Sequence, residues 1–148
     1  MTTDLPVNPA TIDPSDRGER RAELEMTHEE AVEHVRGLLK DAGFGIATEF
    51  VPSKMVNEKV DAERDPYTVL GACSPAVADD ALEETANEIG GLFSCNVAIW
   101  ETEEGAQVVY HVSIMKVARL VGLAPNTAAW GKIIERTGSA LDDVWERL

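Results

Sequence analysis

The residues best suited to chemistry are the two cysteines, Cys73 and Cys95, and each stands where an apolar run meets another element. Cys73 ends the run Leu70-Gly71-Ala72-Cys73, and Ser74-Pro75 after it reads as an N-cap followed by the first residue of a helix. A thiol there lies near unpaired helix-end amides, which lower its pKa and favour thiolate chemistry or anion binding. The plainer reading is a small apolar side chain closing a strand. Cys95 opens the run Cys95-Asn96-Val97, where a buried cysteine behaves as a hydrophobe and the Asn96 amide is free to hold a ligand. Cys73, Ser74, Cys95 and Asn96 are therefore the candidate ligand-binding residues, with Cys73 the candidate catalytic thiol.

Three histidines, His28, His34 and His111, could add to them. His111, in an expected strand between Tyr110 and Val112, would make a soft three-ligand metal set with Cys73 and Cys95; alone it reads as an exposed strand residue. Glu30 and His34 are one helical turn apart, a spacing that can share a metal but more often marks a solvated face. Two thiols far apart make no zinc signature, which needs four ligands and usually a close Cys pair. Gly43-Phe44-Gly45 follows a helix rather than opening one, so it is a helix stop and not a phosphate loop. Ser74, Ser94 and Ser113 have no catalytic-triad context.

The elements that must position these residues are legible from periodicity. Residues 1–20, with Pro6, Pro9 and Pro14 among polar neighbours, read as a disordered tail, and 21–148 as a single domain. Ala22, Leu24 and Met26 alternate with acids as a half-buried strand. Thr27 and Glu30 form a capping box for a helix whose apolar stripe is Val32, Val35, Leu39 and Ala42, stopped at Gly43. A strand over 44–51, a short amphipathic helix near 53–60, a strand over 67–72 and a helix over 75–86 follow. Strands 97–100 and 107–113 pair across Glu103-Glu104-Gly105 as a hairpin. A helix over 114–122 precedes a last one, where Trp130, Ile133, Ile134, Thr137, Leu141, Val144, Trp145 and Leu148 trace one face that must cover the sheet, a partner subunit or both.

Composition bounds the function. The chain has 27 Asp and Glu against 13 Lys and Arg, a formal charge of −14 and a pI near 4.5. Such a field repels phosphate backbones and anionic headgroups, which argues against nucleic-acid and membrane-surface binding. Acids spread along the chain, with few Lys among the bases, are the style of proteins that stay soluble in very high salt, and point to a halophilic archaeal source. No apolar run reaches the roughly 20 residues of a membrane span, and no signal peptide opens the chain, so a cytoplasmic location is expected, with both thiols free rather than bridged.

Four pieces stand in order along the chain: Thr27-His28-Glu29-Glu30-Ala31-Val32, Ala42-Gly43-Phe44-Gly45-Ile46, Pro66-Tyr67 leading into Leu70-Gly71-Ala72-Cys73-Ser74-Pro75, and Glu88-Ile89-Gly90 before Ser94-Cys95-Asn96-Val97. In these, from about Ala22 onward, the sequence resembles the domain-of-unknown-function 302 family. Three places depart from the family pattern: Ser74 where Asn is usual, Ser94 where Pro is usual, and Lys116-Val117 near the usual Asp-Pro. The resemblance implies a small α+β fold of the TATA-binding-protein-like kind, usually dimeric. Because both cysteine positions belong to the pattern, it also raises the case for a joint site that suits a metal, a persulfide or a reversible disulfide.

The expectation is one α+β domain, a mainly antiparallel sheet with helices packed on one face, forming a homodimer. Its preferred function is a binding module whose two-cysteine pocket takes a metal ion, a sulfur species or a small ligand. The rivals are a thiol enzyme or redox protein centred on Cys73, and a structural or regulatory dimer with inert cysteines.

Overall fold

The computed structural model describes residues 8–148. Its centre is a five-stranded antiparallel sheet in the order β1-β5-β4-β3-β2, built from β1 (Arg20–Leu24), β2 (Gly45–Phe50), β3 (Tyr67–Cys73), β4 (Cys95–Glu101) and β5 (Gln107–His111). Between them run α1 (His28–Asp41), α2 (Pro52–Lys59), α3 (Pro75–Glu84), α4 (Ile114–Leu120) and α5 (Ala128–Glu146). The expected α+β class, antiparallel sheet and helix positions hold, with shifts of a few residues at the ends.

Local chemistry explains the boundaries. Thr27 accepts from the Glu30 amide while the Glu30 carboxylate accepts from the Thr27 amide, which completes the capping box of α1. That cap engages one oxygen of the Glu30 carboxylate, while His34 one turn on is exposed, as a solvated face would be. Gly43, at φ +94°, ends the helix in a left-handed conformation. The strand expected over 97–100 begins earlier, at Cys95, because Ala72 pairs with Cys95 and carries the ladder to that point.

Strand register sorts side chains onto two faces. Leu70, Val97 and Val109 meet α1 and α5 on one face, and with Val35, Leu39, Leu141 and Val144 they form one hydrophobic core. A second core, Val77, Ala81, Ile89, Met115, Ala118, Trp130 and Ile133, is built by α3, α4, α5 and the 3-10 turn Glu88–Leu92, without strand residues. The apolar face of α5 is thus consumed within the chain: Trp130, Ile133 and Leu141 are all buried. On the opposite face of the sheet Trp100 stacks on Tyr67 at 5.5 Å between ring centroids, leans on Tyr110, and carries the Arg21 guanidinium at 5.6 Å.

Residues 8–20 depart from the unstructured reading. Pro9–Thr11 and Pro14–Arg17 form 3-10 turns, the second with its own capping box. The Ser113 amide donates to the Arg17 carbonyl at 2.8 Å, Lys116 Nζ donates to the Ser15 carbonyl, and the Tyr110 hydroxyl donates to Glu19. Gly18, at φ +62°, lies so close to Ser113 that a Cβ would stand 2.7 Å from its Cβ. The first part of the expected tail, 1–7, lies outside the described residues.

A polar chain at one end of the sheet ties α1 to the strands. Gln107 Nε2 donates to Glu101 at 2.9 Å, which turns its carbonyl oxygen toward His28. His28 Nδ1–H therefore donates to Gln107 Oε1 at 2.7 Å, and Nε2 accepts from the Thr68 hydroxyl at 2.8 Å. Gln107 and Thr68 are buried, so a broken link leaves desolvated groups unpaired. Gln107→Leu should lower stability by about 1–3 kcal/mol in urea unfolding. An unchanged midpoint would show that the chain is not a structural tie.

Candidate functional site

At the other end of the sheet, where β3 ends and β4 begins, a small cavity opens at the joint between the two cores. Ala72 and Phe44 come to it from the sheet core, and Val77 and Met115 from the helical core. Both cysteines line it, together with Ser74, Ala78, Phe93, Ser94 and Thr137. Cys95 is buried on its floor, while Cys73, Ser74 and Ser94 are half-buried and Phe93 is exposed at its rim. The walls are almost entirely apolar and the free volume is about 20 Å³. That is room for one water-sized sphere.

Burial governs the chemistry of the floor. Removal of water from around Cys95, helped by the nearby Cys73, pushes its thiol up to about 11, so it is a neutral S–H donor at neutral pH. The Thr137 hydroxyl is turned away to its own helix, donating toward the Ile133 and Ile134 carbonyls, and adds no free polar group.

The structure brings together some of the expected site residues and separates others. Cys73, Ser74 and Cys95 share the cavity. The Ser74 hydroxyl, expected to cap α3, makes no capping hydrogen bond. Asn96 does not join them: successive strand residues point to opposite faces, and Asn96 pairs with Gly71 on the far side of the sheet from Cys95. There its side chain accepts from Ser94 Oγ at 3.4 Å, beside a spot so tight that a Cβ on Gly71 would collide with Thr48 and Ser94.

His111 is corrected too. It is buried rather than exposed, its Nδ1–H donates to the Asn96 carbonyl at 2.8 Å, and its ring lies against Trp145. Among the described residues no three His, Cys, Asp or Glu side chains cluster to hold a metal ion, so the set Cys73, Cys95 and His111 is not assembled. Phe44, Val77, Phe93, Met115 and Thr137 were missed as pocket residues. Of these only Thr137 left a signal, a polar residue within an apolar helical stripe.

Comparison with known families matches residues 21–148 to the domain of unknown function DUF302. The chain belongs to this family. A crystal structure of an uncharacterised conserved DUF302 protein from Bacillus stearothermophilus superposes with a TM-score of 0.75 at 19% identity, covering 87% of this chain and 96% of that one. At that identity the likeness shows the fold alone. No curated protein matches the chain. Ser74 and Ser94 both line the cavity, and the Ser94 hydroxyl is engaged with Asn96. Among the described residues no helix is long and apolar enough to cross a membrane.

Proposed function

We propose that the protein is a small-ligand-binding module whose site is the cavity shared by Cys73 and Cys95. The observation that carries this reading is one apolar cavity, lined by both thiols and with room for about one water-sized sphere. A thiol enzyme acting on a larger substrate is disfavoured by that size, and inert cysteines by their meeting at one cavity with Cys73 half-exposed. The wider reading is of a cytoplasmic protein of a halophilic archaeon, whose excess of acids works in molar salt where screening removes self-repulsion. Association as a homodimer fits the open sheet face, where Phe50 is 48% exposed and Tyr67, Trp100 and Tyr110 form an aromatic patch.

Alkylation of the folded protein, read at each cysteine by mass spectrometry, tests the site. Cys73 should react first, and Cys95 should lag until the pH nears 11 or the protein unfolds. Ala78→Phe, which fills the cavity from α3, should slow both thiols while leaving the circular dichroism spectrum unchanged. Equal rates in wild type and a folded Ala78→Phe variant, or Cys95 reacting ahead of Cys73, would overturn the reading.

A further inference from the structure

The occupant that suits the cavity is set by its size, its walls and the two sulfurs. Room for one water-sized sphere admits a single heavy atom beyond Cys73 Sγ. A metal ion held by the two cysteines would need both as thiolates and a third donor for most coordination geometries. Burial keeps Cys95 protonated, and among the described residues no third ligand is at hand. A neutral thiol facing an anionic sulfur, by contrast, is a hydrogen-bond donor to it.

We infer that Cys73 accepts one sulfane sulfur from an inorganic polysulfide and that the cavity stores it as a persulfide, with the Cys95 thiol donating to its terminal sulfur. This deepens the pocket reading proposed above and rests on it. The Cys73 thiolate attacks the terminal S–H sulfur of a hydrogen polysulfide anion. A new bond forms between Sγ and that sulfur, the neighbouring S–S bond of the polysulfide breaks, and the rest of the chain leaves one atom shorter with the electron pair. The proton of the new persulfide passes to the leaving polysulfide, so a thiolate and a polysulfide monoanion become an anionic persulfide and a shorter polysulfide monoanion. Sγ is oxidised, the leaving polysulfide is reduced, and the total charge is unchanged. The apolar walls then keep bulkier thiols from the stored atom, and the half-buried rim at Cys73, Ser74 and Ser94 is the way in.

The test is incubation of the full chain with inorganic polysulfide in molar salt, where screening removes the repulsion between the polysulfide anion and the acidic surface. Excess is removed and each cysteine is mapped by mass spectrometry. One added sulfur at Cys73 and none at Cys95 is expected, with the selectivity lost in urea. Cys73→Ser should take up none. Cys95→Ala should take up one sulfur but lose it to glutathione several-fold faster than wild type, and Cys95→Ser, which keeps a donor, should restore much of the lifetime. Sulfur on Cys95 instead, the same labelling of folded and urea-unfolded protein, or identical lifetimes in wild type and Cys95→Ala would overturn the inference. Absent sulfur uptake with the Ala78→Phe shielding intact sinks the persulfide alone. Absent shielding sinks the pocket itself.

Discussion

Trp130→Ala should lower the unfolding free energy by about 3–5 kcal/mol, the usual cost of truncating a buried tryptophan. Trp130 is fully buried among Met115, Ala118 and Ile133 in the helical core, and its Nε1–H donates to the Met115 carbonyl at 2.8 Å. Alanine would leave both a void and an unpaired carbonyl. Because Met115 also lines the thiol cavity, the same change should loosen the site, and Cys95 should become open to alkylation in protein that is still folded. Trp130→Phe keeps most of the volume and loses the hydrogen bond, so it should cost only about 1–2 kcal/mol. Denaturant unfolding of the two variants side by side measures this. Equal small losses would mean that the helical core collapses around the void or that Trp130 contributes little.

The second large effect is expected in acid. His111 is buried with Nδ1–H committed to the Asn96 carbonyl, and Nε2 has no partner beside Trp145. Burial holds its pKa down at about 4, against an ordinary value of 6.5, with the Arg20 charge on the neighbouring strand working in the same direction. Arg20 is itself held by Asp142 of α5 at 2.9 Å. A histidine depressed in this way binds fewer protons folded than unfolded. Its contribution is complete above pH 6.5 and falls away as the pH drops from 6.5 toward 4, by on the order of 3 kcal/mol over that window. His111→Gln keeps a donor for Asn96 and removes the titration. Its stability should therefore change much less than that of wild type between pH 6.5 and 4, measured in molar salt to suppress the acids. Parallel curves for the two proteins would exclude His111 as the source.

The expected and observed elements agree where local signals and periodicity coincide. The Thr27–Glu30 capping box, the α5 stripe from Trp130 to Val144 and the hairpin between β4 and β5 each rest on neighbours within a few residues, and each is found. The segment 8–20 looked unstructured because its stabilising partners, Ser113, Lys116 and Tyr110, lie some hundred positions away. Neither the polar chain through His28, Thr68 and Gln107 nor the burial of His111 could be read locally, since strand alternation gives parity but not which face meets the helices.

By itself, the sequence determined the α+β class, the single domain and the placement of both cysteines at strand ends, because periods and caps are short-range consequences of side-chain type. It also determined the acidic surface, which is a matter of composition. Only the tertiary structure decided that the two cysteines share one cavity, that Asn96 points away from it and that His111 is spent on a backbone carbonyl. The physical reason is pairing register. One hydrogen-bonded ladder sets Ala72 opposite Cys95 and Gly71 opposite Asn96, so alternation sends Asn96 to the face away from Cys95, whereas Cys73 reaches the cavity not by alternation but as the last residue of β3, where the chain passes on into α3.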